Sequence, residues 1–424
     1  MQRARHTTPG ELLMTSLAEV GSAPSAPTTS SIATTLLPGV HPDPNRVNML
    51  RSAVRQGDPL AESLVAELDA LGAPAREMLS VALRHGLAAV DAPPPALAAF
   101  MHAIEAFPPG CDPSLIATGD IASISVPPFW HSIALALASL LPNYTNLRVA
   151  KVLANTGNLA YASGRRLAET AVWRINATTP GGLARGGAGY IGTVQVRLLH
   201  ARVRTALLRR GWDVEADGMP INRADTLNTW LDFTVVPFTA LKRLGIDLTS
   251  DEEQGLYRYW AYVGHLLGID PQWCAQITSH KQGEEWRSAQ LATQAIGLDD
   301  NVRAIQGALL DTVTERLASL MPSGPASVAR AFVFALARRV LGDAACDAMH
   351  CERSELGGLV DMFAANNAAL RREYRESPQS WNRYLERNCE QYLQFAAHVR
   401  GPTTYENSLA SPPPAGATPV TATA

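Results

Sequence analysis

The chain has 424 residues, enough to bury one large core or two smaller ones. With 46% apolar residues, 18% charged residues and a net charge of −3, it has the composition of an ordinary folded protein. Five cysteines, Cys111, Cys274, Cys346, Cys351 and Cys389, are too few and too scattered for a disulfide framework, which suits a reducing compartment.

Residues 1–45 are rich in Ser, Thr, Pro and Ala and lack sustained periodicity, so a disordered arm is expected there. Glu11 and Glu19 interrupt the stretch where a secretory signal would need an apolar run. Residues 46–106 repeat apolar positions at helical spacing in VNMLRSAVRQG, DPLAESLVAELDALG and PAREMLSVALRHGLAAV. Asp58 and Pro59 are a start signal and Gly72 a stop. PPPALAAFMHAIEAF (93–107) opens on prolines, as a helix start can. After a Pro/Gly-rich connector, an apolar helix is expected from Phe129 to Leu141, stopped by Pro142. Its run IALALASLL is far short of a bilayer span. LRVAKVLANTGNLAYASGRRLAETAVWRIN reads as two helices divided near Gly157.

Residues 178–192 read as a glycine-rich loop. GAGYIG (187–192) matches GxGxxG, but no apolar strand precedes it, so a dinucleotide-binding turn is not expected. A strong helix follows over about 193–210, and then a loop containing GMPIN. RADTLNTWLDFTVVPFTALKRLG and SDEEQGLYRYWAYVGHLLG are further helices, with Ser250 and Glu253 as a capping box. More helices cover roughly 283–297, 301–320, 325–349, 355–376 and 378–398, and the tail 401–424 is expected to be disordered. No run of period-two alternation is present. The expectation is an all-α protein: one helical domain over 46–400 between disordered arms 1–45 and 401–424, soluble, cytoplasmic and without a transmembrane segment.

Charge is distributed unevenly. Across 121–212, Glu169 is the sole acid against eleven Lys and Arg. Such a patch faces an anionic ligand, an acidic surface of the same protein, or water. Aromatic residues are sparsely interleaved and no recognition motif appears, so nucleic acid is not the expected partner. Cys346, His350 and Cys351 lie close together but lack CxxC spacing and a fourth ligand for zinc. HExxH, P-loop and GxSxG motifs are absent.

In the strong helix, Val196, His200, Val203 and Leu207 share one apolar stripe. A histidine there is either a packed core residue or the proximal ligand of a haem held between helices. Arg197 and Arg204 lie one turn to either side of His200, where they could pair with the two propionates of a haem.

The ordered set TGNL (156–159), GRRLAET (164–170), VRLLHARVR (196–204), GMPIN (218–222), DTLNTWLDF (225–233) and GHLLGID (264–270) resembles the latex clearing protein family. It also resembles the broader oxygenase family that includes the ER-bound oxygenase of mycophenolic acid biosynthesis. The resemblance covers about residues 110–350. It implies a globin-like helical core holding haem b, with His200 as the axial ligand of the iron. It further implies that Arg166 and Thr170 belong to the distal motif, that Arg197 and Arg204 flank the axial helix, and that Arg330 is a further haem-region arginine. Dioxygen and a lipophilic, unsaturated or isoprenoid-like substrate are the implied partners, and oxidative cleavage of a carbon–carbon double bond the implied reaction. Two residue patterns depart from a rubber-cleaving branch. Glu169 stands where that branch has lysine, and residues 121–168 contain no acid to match its upstream glutamate. With no secretory signal either, a small lipophilic substrate is expected, and Glu169 is the candidate base. The alternatives are a haem-binding sensor or carrier without turnover, and a haem-free helical scaffold.

Overall fold

A computed structural model describes residues 29–108, 113–156, 159–320, 325–398 and 403–405. The arms 1–28 and 406–424, Cys111, and Gly157 and Asn158 of the TGNL motif lie outside the described residues. Among the described residues the fold is all-α, and the only extended pairing is an isolated antiparallel bridge between Asn146 and Ile296.

The helices used below are α1 (Thr29–Leu36), α2 (Pro44–Ala53), α3 (Pro59–Leu71), α4 (Ala73–His85), α5 (Pro95–Glu105), α6 (Pro113–Ile124), α7 (Pro128–Ile133), α8 (Leu147–Asn155), α9 (Leu159–Thr178) and α10 (Ala188–Arg209). They continue as α11 (Arg223–Phe233), α12 (Val235–Arg243), α13 (Ser250–Leu266), α14 (His280–Leu291), α15 (Asp300–Leu320), α16 (Ala326–Leu341), α17 (Asp343–Ala348), α18 (Gly357–Arg375) and α19 (Pro378–His398). The main core is lined by Trp230, Tyr257, Tyr259, Trp260 and Trp286, all essentially buried. α9 packs against α10 on one side and α15 on the other, and α10 packs also on α3.

Many sequence signals act as expected. Asp58 caps α3, accepting the Ala61 N–H at 3.2 Å, and Gly72 ends it at φ +74°. Where the structure differs, a local cause is visible. The expected single helix over 223–245 breaks at Thr234, because Pro237 lacks an N–H and its ring crowds the carbonyl four residues back. The expected helix 325–349 divides at Gly342, whose φ is +91°. The capping box lies one residue earlier than expected, between Thr249 and Glu252. From Ala134 to Leu140 the apolar helix after α7 winds as a π-helix.

Two boundaries move more. α1 lies inside the stretch expected to be a disordered arm, with Ile32 buried in the core and the helix packed on α17. The tail also returns: Thr403 and Tyr405 are buried, and Tyr405 joins the main core. Ile32 of α1 is anchored together with Ala33, Leu36 and Leu37, and the tail by the single ring of Tyr405, stretches too short to stand out as a sustained helical pattern in the sequence.

Candidate functional site between two antiparallel helices

The GAGYIG run, expected as a loop, forms the first turns of α10. Its glycines fit there for a steric reason. A Cβ on Gly189 would stand 2.3 Å from the Asn176 carbonyl oxygen and 2.5 Å from the Ala177 Cα. Glycine therefore lets the backbones of α9 and α10 touch at this end. One turn on, the Trp173 indole N–H donates to the Thr193 hydroxyl at 3.1 Å. Pairing of 177 with 189 and of 173 with 193 sets an antiparallel register. Continued by helical periodicity, that register brings Thr170 level with Val196 and Arg166 level with His200. Glu169 falls at the edge of the same face of α9.

Toward His200 the two helix faces are less deeply buried. Val196, Leu199, His200 and Val203 on α10, and Arg166, Leu167 and Thr170 on α9, are all half-buried, whereas Thr193 and Val194 are fully buried. No hydrogen bond holds the His200 imidazole among the described residues. Enclosure by the surrounding protein and the nearby Arg204 charge push it down to about 4, against an opposing pull from Asp58. His200 is therefore neutral near pH 7, with a nitrogen lone pair available to a metal.

The arginines beside His200 are already engaged. Arg197 lies over the Phe100 ring and donates twice to Asp58, at 2.6 and 3.0 Å. Burial pushes the Asp58 carboxyl up, but the hydrogen bond and charge of Arg197 outweigh it and hold the group below its usual range. Arg204 donates to Glu62 at 2.8 Å and to the carbonyls of Pro220 and Ile221 at 3.1 and 2.6 Å. These contacts explain two sequence motifs. GMPIN is the loop that receives Arg204 and supplies Asn222 as the α11 cap, and Gly268 of GHLLGID lets Arg197 pass where a Cβ would stand 2.5 Å from its Nε. Asp58, Arg197, His200, Arg204, Arg223 and Leu267 line a narrow cleft of about 10 Å³, room for roughly one water molecule. A roomier surface hollow of about 240 Å³ by Arg148 and Glu215 is lined by Gly218 of GMPIN but by none of the candidate site residues.

Glu169 is buried, and its partners were not expected. Oε1 accepts Arg165 Nε at 2.6 Å and the backbone N–H of Thr404 at 3.2 Å. Its ion pair is thus with Arg165, four residues back. Arg166 lies within electrostatic reach of Tyr144. The returning tail reaches the inter-helix seam as well, since a Cβ on Gly192 would meet both Trp173 and the Tyr405 ring at 3.7 Å. Arg330 lies apart: it is exposed and bonded to Asp311 and Glu352, with no contact to the α9–α10 seam.

Two features had no sequence signal. His131 is buried, its Nδ1 shared between Arg174 at 3.2 Å and the Tyr392 hydroxyl at 3.4 Å, and its Nε2 has no partner among the described residues. His265 is a further histidine whose Nε2 has no such partner. No group of three or more His, Cys, Asp or Glu is placed to hold a metal ion among the described residues. A haem iron asks for less, since the porphyrin supplies four nitrogens and the protein one axial ligand.

The family described as ER-bound oxygenase mpaB/B'/Rubber oxygenase, catalytic domain, matches residues 129–372, more than half of the chain. The chain belongs to this family. Its chemistry is accordingly that of an oxygenase, an oxidoreductase. The matched span runs from α7 to α18 and contains the α9–α10 pair. The solved structure of latex clearing protein LCP in the closed state is similar, with a TM-score of 0.60 over 85% of this chain and 94% of that one. At 20% identity this likeness is one of fold. No curated protein matches the chain. No helix is long and apolar enough to cross a membrane among the described residues.

Proposed function

We propose that this member of the rubber oxygenase family binds haem b through His200 and uses dioxygen on an unsaturated, isoprenoid-like or other lipophilic substrate. One observation carries the reading: His200 on α10 presents a neutral imidazole that has no hydrogen-bond partner among the described residues and lines a cleft with Arg197 and Arg204. The less deeply buried end of the seam adds to it. Half-buried Val196, Leu199 and Val203 offer apolar surface beside His200, and parting of α9 from α10 at this end would seat a planar macrocycle. Bound there, the haem would supply the binding and activation of dioxygen.

The remaining roles belong to the chain. Arg166, level with His200, and Thr170, one turn along the facing helix, would donate hydrogen bonds to a polar oxygen of a ligand held between the helices. Glu169 is the proton acceptor in this proposal, oriented by Arg165 and the Thr404 N–H. Arg197 and Arg204 clamp α3 against α10 and form the wall behind His200, so a propionate would reach either one only by displacing Asp58 or Glu62. Arg330 has no part, because its surface ion pairs lie elsewhere.

Oxygen uptake tests the catalytic half. Protein from haem-supplied cells, given a polyene terpenoid, should consume oxygen above its substrate-free rate and yield carbonyl products. Protein that shows a haem spectrum but no uptake across a range of polyenes would be a carrier or sensor. The occupied state of Arg197 and Arg204 favours one further reading, a haem-free scaffold with α10 as its spine; such a protein would show no haem spectrum at all.

A further inference from the structure

Outside the α9–α10 pair, α17 ends in a tight chain reversal. The Cys351 N–H donates to the Cys346 carbonyl at 2.8 Å and the His350 N–H to the Asp347 carbonyl at 3.1 Å. His350 takes the left-handed conformation, φ +57°. This is a Schellman motif, in which the third residue from the helix end and the second residue beyond it come into side-chain contact. Here both residues are cysteines. Cys346 and Cys351 are both buried, and each thiol lies close enough to the other to alter its ionisation.

The reversal is pinned from outside. Arg338 on α16 donates to Asp343 and Asp347 of α17 at 2.8 Å each, and to the carbonyls of Cys351 and Glu352 at 2.8 and 3.0 Å. One guanidinium thus holds both halves of the turn. A disulfide needs α-carbons roughly 4.4–6.8 Å apart, and the 2.8 Å backbone hydrogen bond from Cys351 to Cys346 draws the two residues together. A left-handed His350 also shows that the chain accepts local strain to make this turn.

We propose that Cys346 and Cys351 form a redox-active dithiol that closes to an intrachain disulfide when exposed to a peroxide. The two thiols are unequal. The neighbouring Cys346 thiol lowers Cys351, with Arg338 adding to the effect, and the same proximity together with burial raises Cys346. Cys351, whose carbonyl holds the Arg338 guanidinium and which is the less buried of the two, is the sulfur that reacts first. Its thiolate attacks hydrogen peroxide, the O–O bond breaks, and with one proton the products are a sulfenic acid on Cys351 and water. The Cys346 sulfur then attacks the Cys351 sulfur and its thiol proton leaves with the displaced hydroxide as a second water. Overall two thiols and one peroxide give one disulfide and two waters. A thiol reductant restores the pair.

The site is separate from the oxygenase seam and stands or falls without it. It lies under α1, which packs on α17, so its redox state bears on how the N-terminal helix is held. The test is peptide mapping of the purified chain before and after hydrogen peroxide, with alkylation of remaining thiols. The expected result is a Cys346–Cys351 cross-link that dithiothreitol reverses, while Cys274 and Cys389 stay alkylatable. In Cys346→Ser the reaction should stop at a sulfenic acid on Cys351, captured by dimedone. Undiminished alkylation of both cysteines after peroxide, or irreversible over-oxidation of Cys351 in the wild type, would overturn the proposal. The wild-type map decides even if the variant does not fold.

Discussion

Removing Asp58 probes the most heavily bonded pair beside His200. The Asp58 and Arg197 side chains are only 15% and 8% exposed, and two hydrogen bonds of 2.6 and 3.0 Å join them. Asp58 also caps α3 through the Ala61 N–H. Asp58→Ala removes both functions. Breaking a buried ion pair from one side costs about 3–5 kcal/mol, because the other charge stays buried. Loss of an N-cap adds about 1 kcal/mol. Solvent reaching Arg197 through the new gap, and its retained contact with the Phe100 ring, reduce the sum, so about 4 kcal/mol is the expected loss. Asp58→Asn separates the two contributions. Asparagine caps as well as aspartate and still accepts one bond from Arg197, so about 2 kcal/mol is expected, the value of a hydrogen bond to a charged group. Urea unfolding of the three proteins, followed by circular dichroism, gives both differences. A loss below about 1 kcal/mol for Asp58→Ala would refute the reasoning, because Arg197 would then depend on some other anion for its place.

Other outcomes can be checked in parallel. Tyr405→Ala, which empties the seam-side position of the tail, should cost about 3 kcal/mol, in the range for deleting a buried aromatic; a melting temperature equal to wild type would show that the tail does not pack there. Glu169→Gln should keep haem content but lower turnover by about two orders of magnitude, as for a lost general base; full turnover would leave Glu169 as an anchor for Arg165 and Thr404 alone. The ligand-free protein should lose stability on acidification. Folding holds His200 down to about 4 against a usual 6.5, so below 6.5 the unfolded chain takes up a proton that the folded chain refuses. Stability then falls as pH drops from 6.5 toward 4, by up to about 1.4 kcal/mol per unit for this group. His200→Phe should flatten that slope between pH 6.5 and 5 in urea titrations; because His131 and His265 are also held down, part of it remains.

The sequence exposed whatever repeats along a helix. The apolar stripe through Val196, His200, Val203 and Leu207 was legible because helical periodicity writes it directly, and Asp58 with Pro59 marked α3 for the same local reason. The order of GMPIN, DTLNTWLDF and GHLLGID carried the family, although the physical work of these segments only shows in space, where Pro220, Ile221 and Gly268 make room for Arg204 and Arg197. Arg197 and Arg204 were read as free for an anion because their acids, Asp58 and Glu62, are more than 130 residues away in sequence. Gly189 looked like loop because close approach of two backbones leaves no periodic trace. Tyr405 looked like tail because one buried ring anchors it.

The visible absorption spectrum of His200→Ala beside the wild type, both purified from haem-supplied cells, tests the central claim. The wild type should show a Soret band with haem b in its extract. His200→Ala should lose the band or shift it, while His131→Gln and His265→Gln, which alter the other histidines with open nitrogens, should keep it. A wild type without a Soret band, or a His200→Ala variant with the wild-type spectrum, would contradict it.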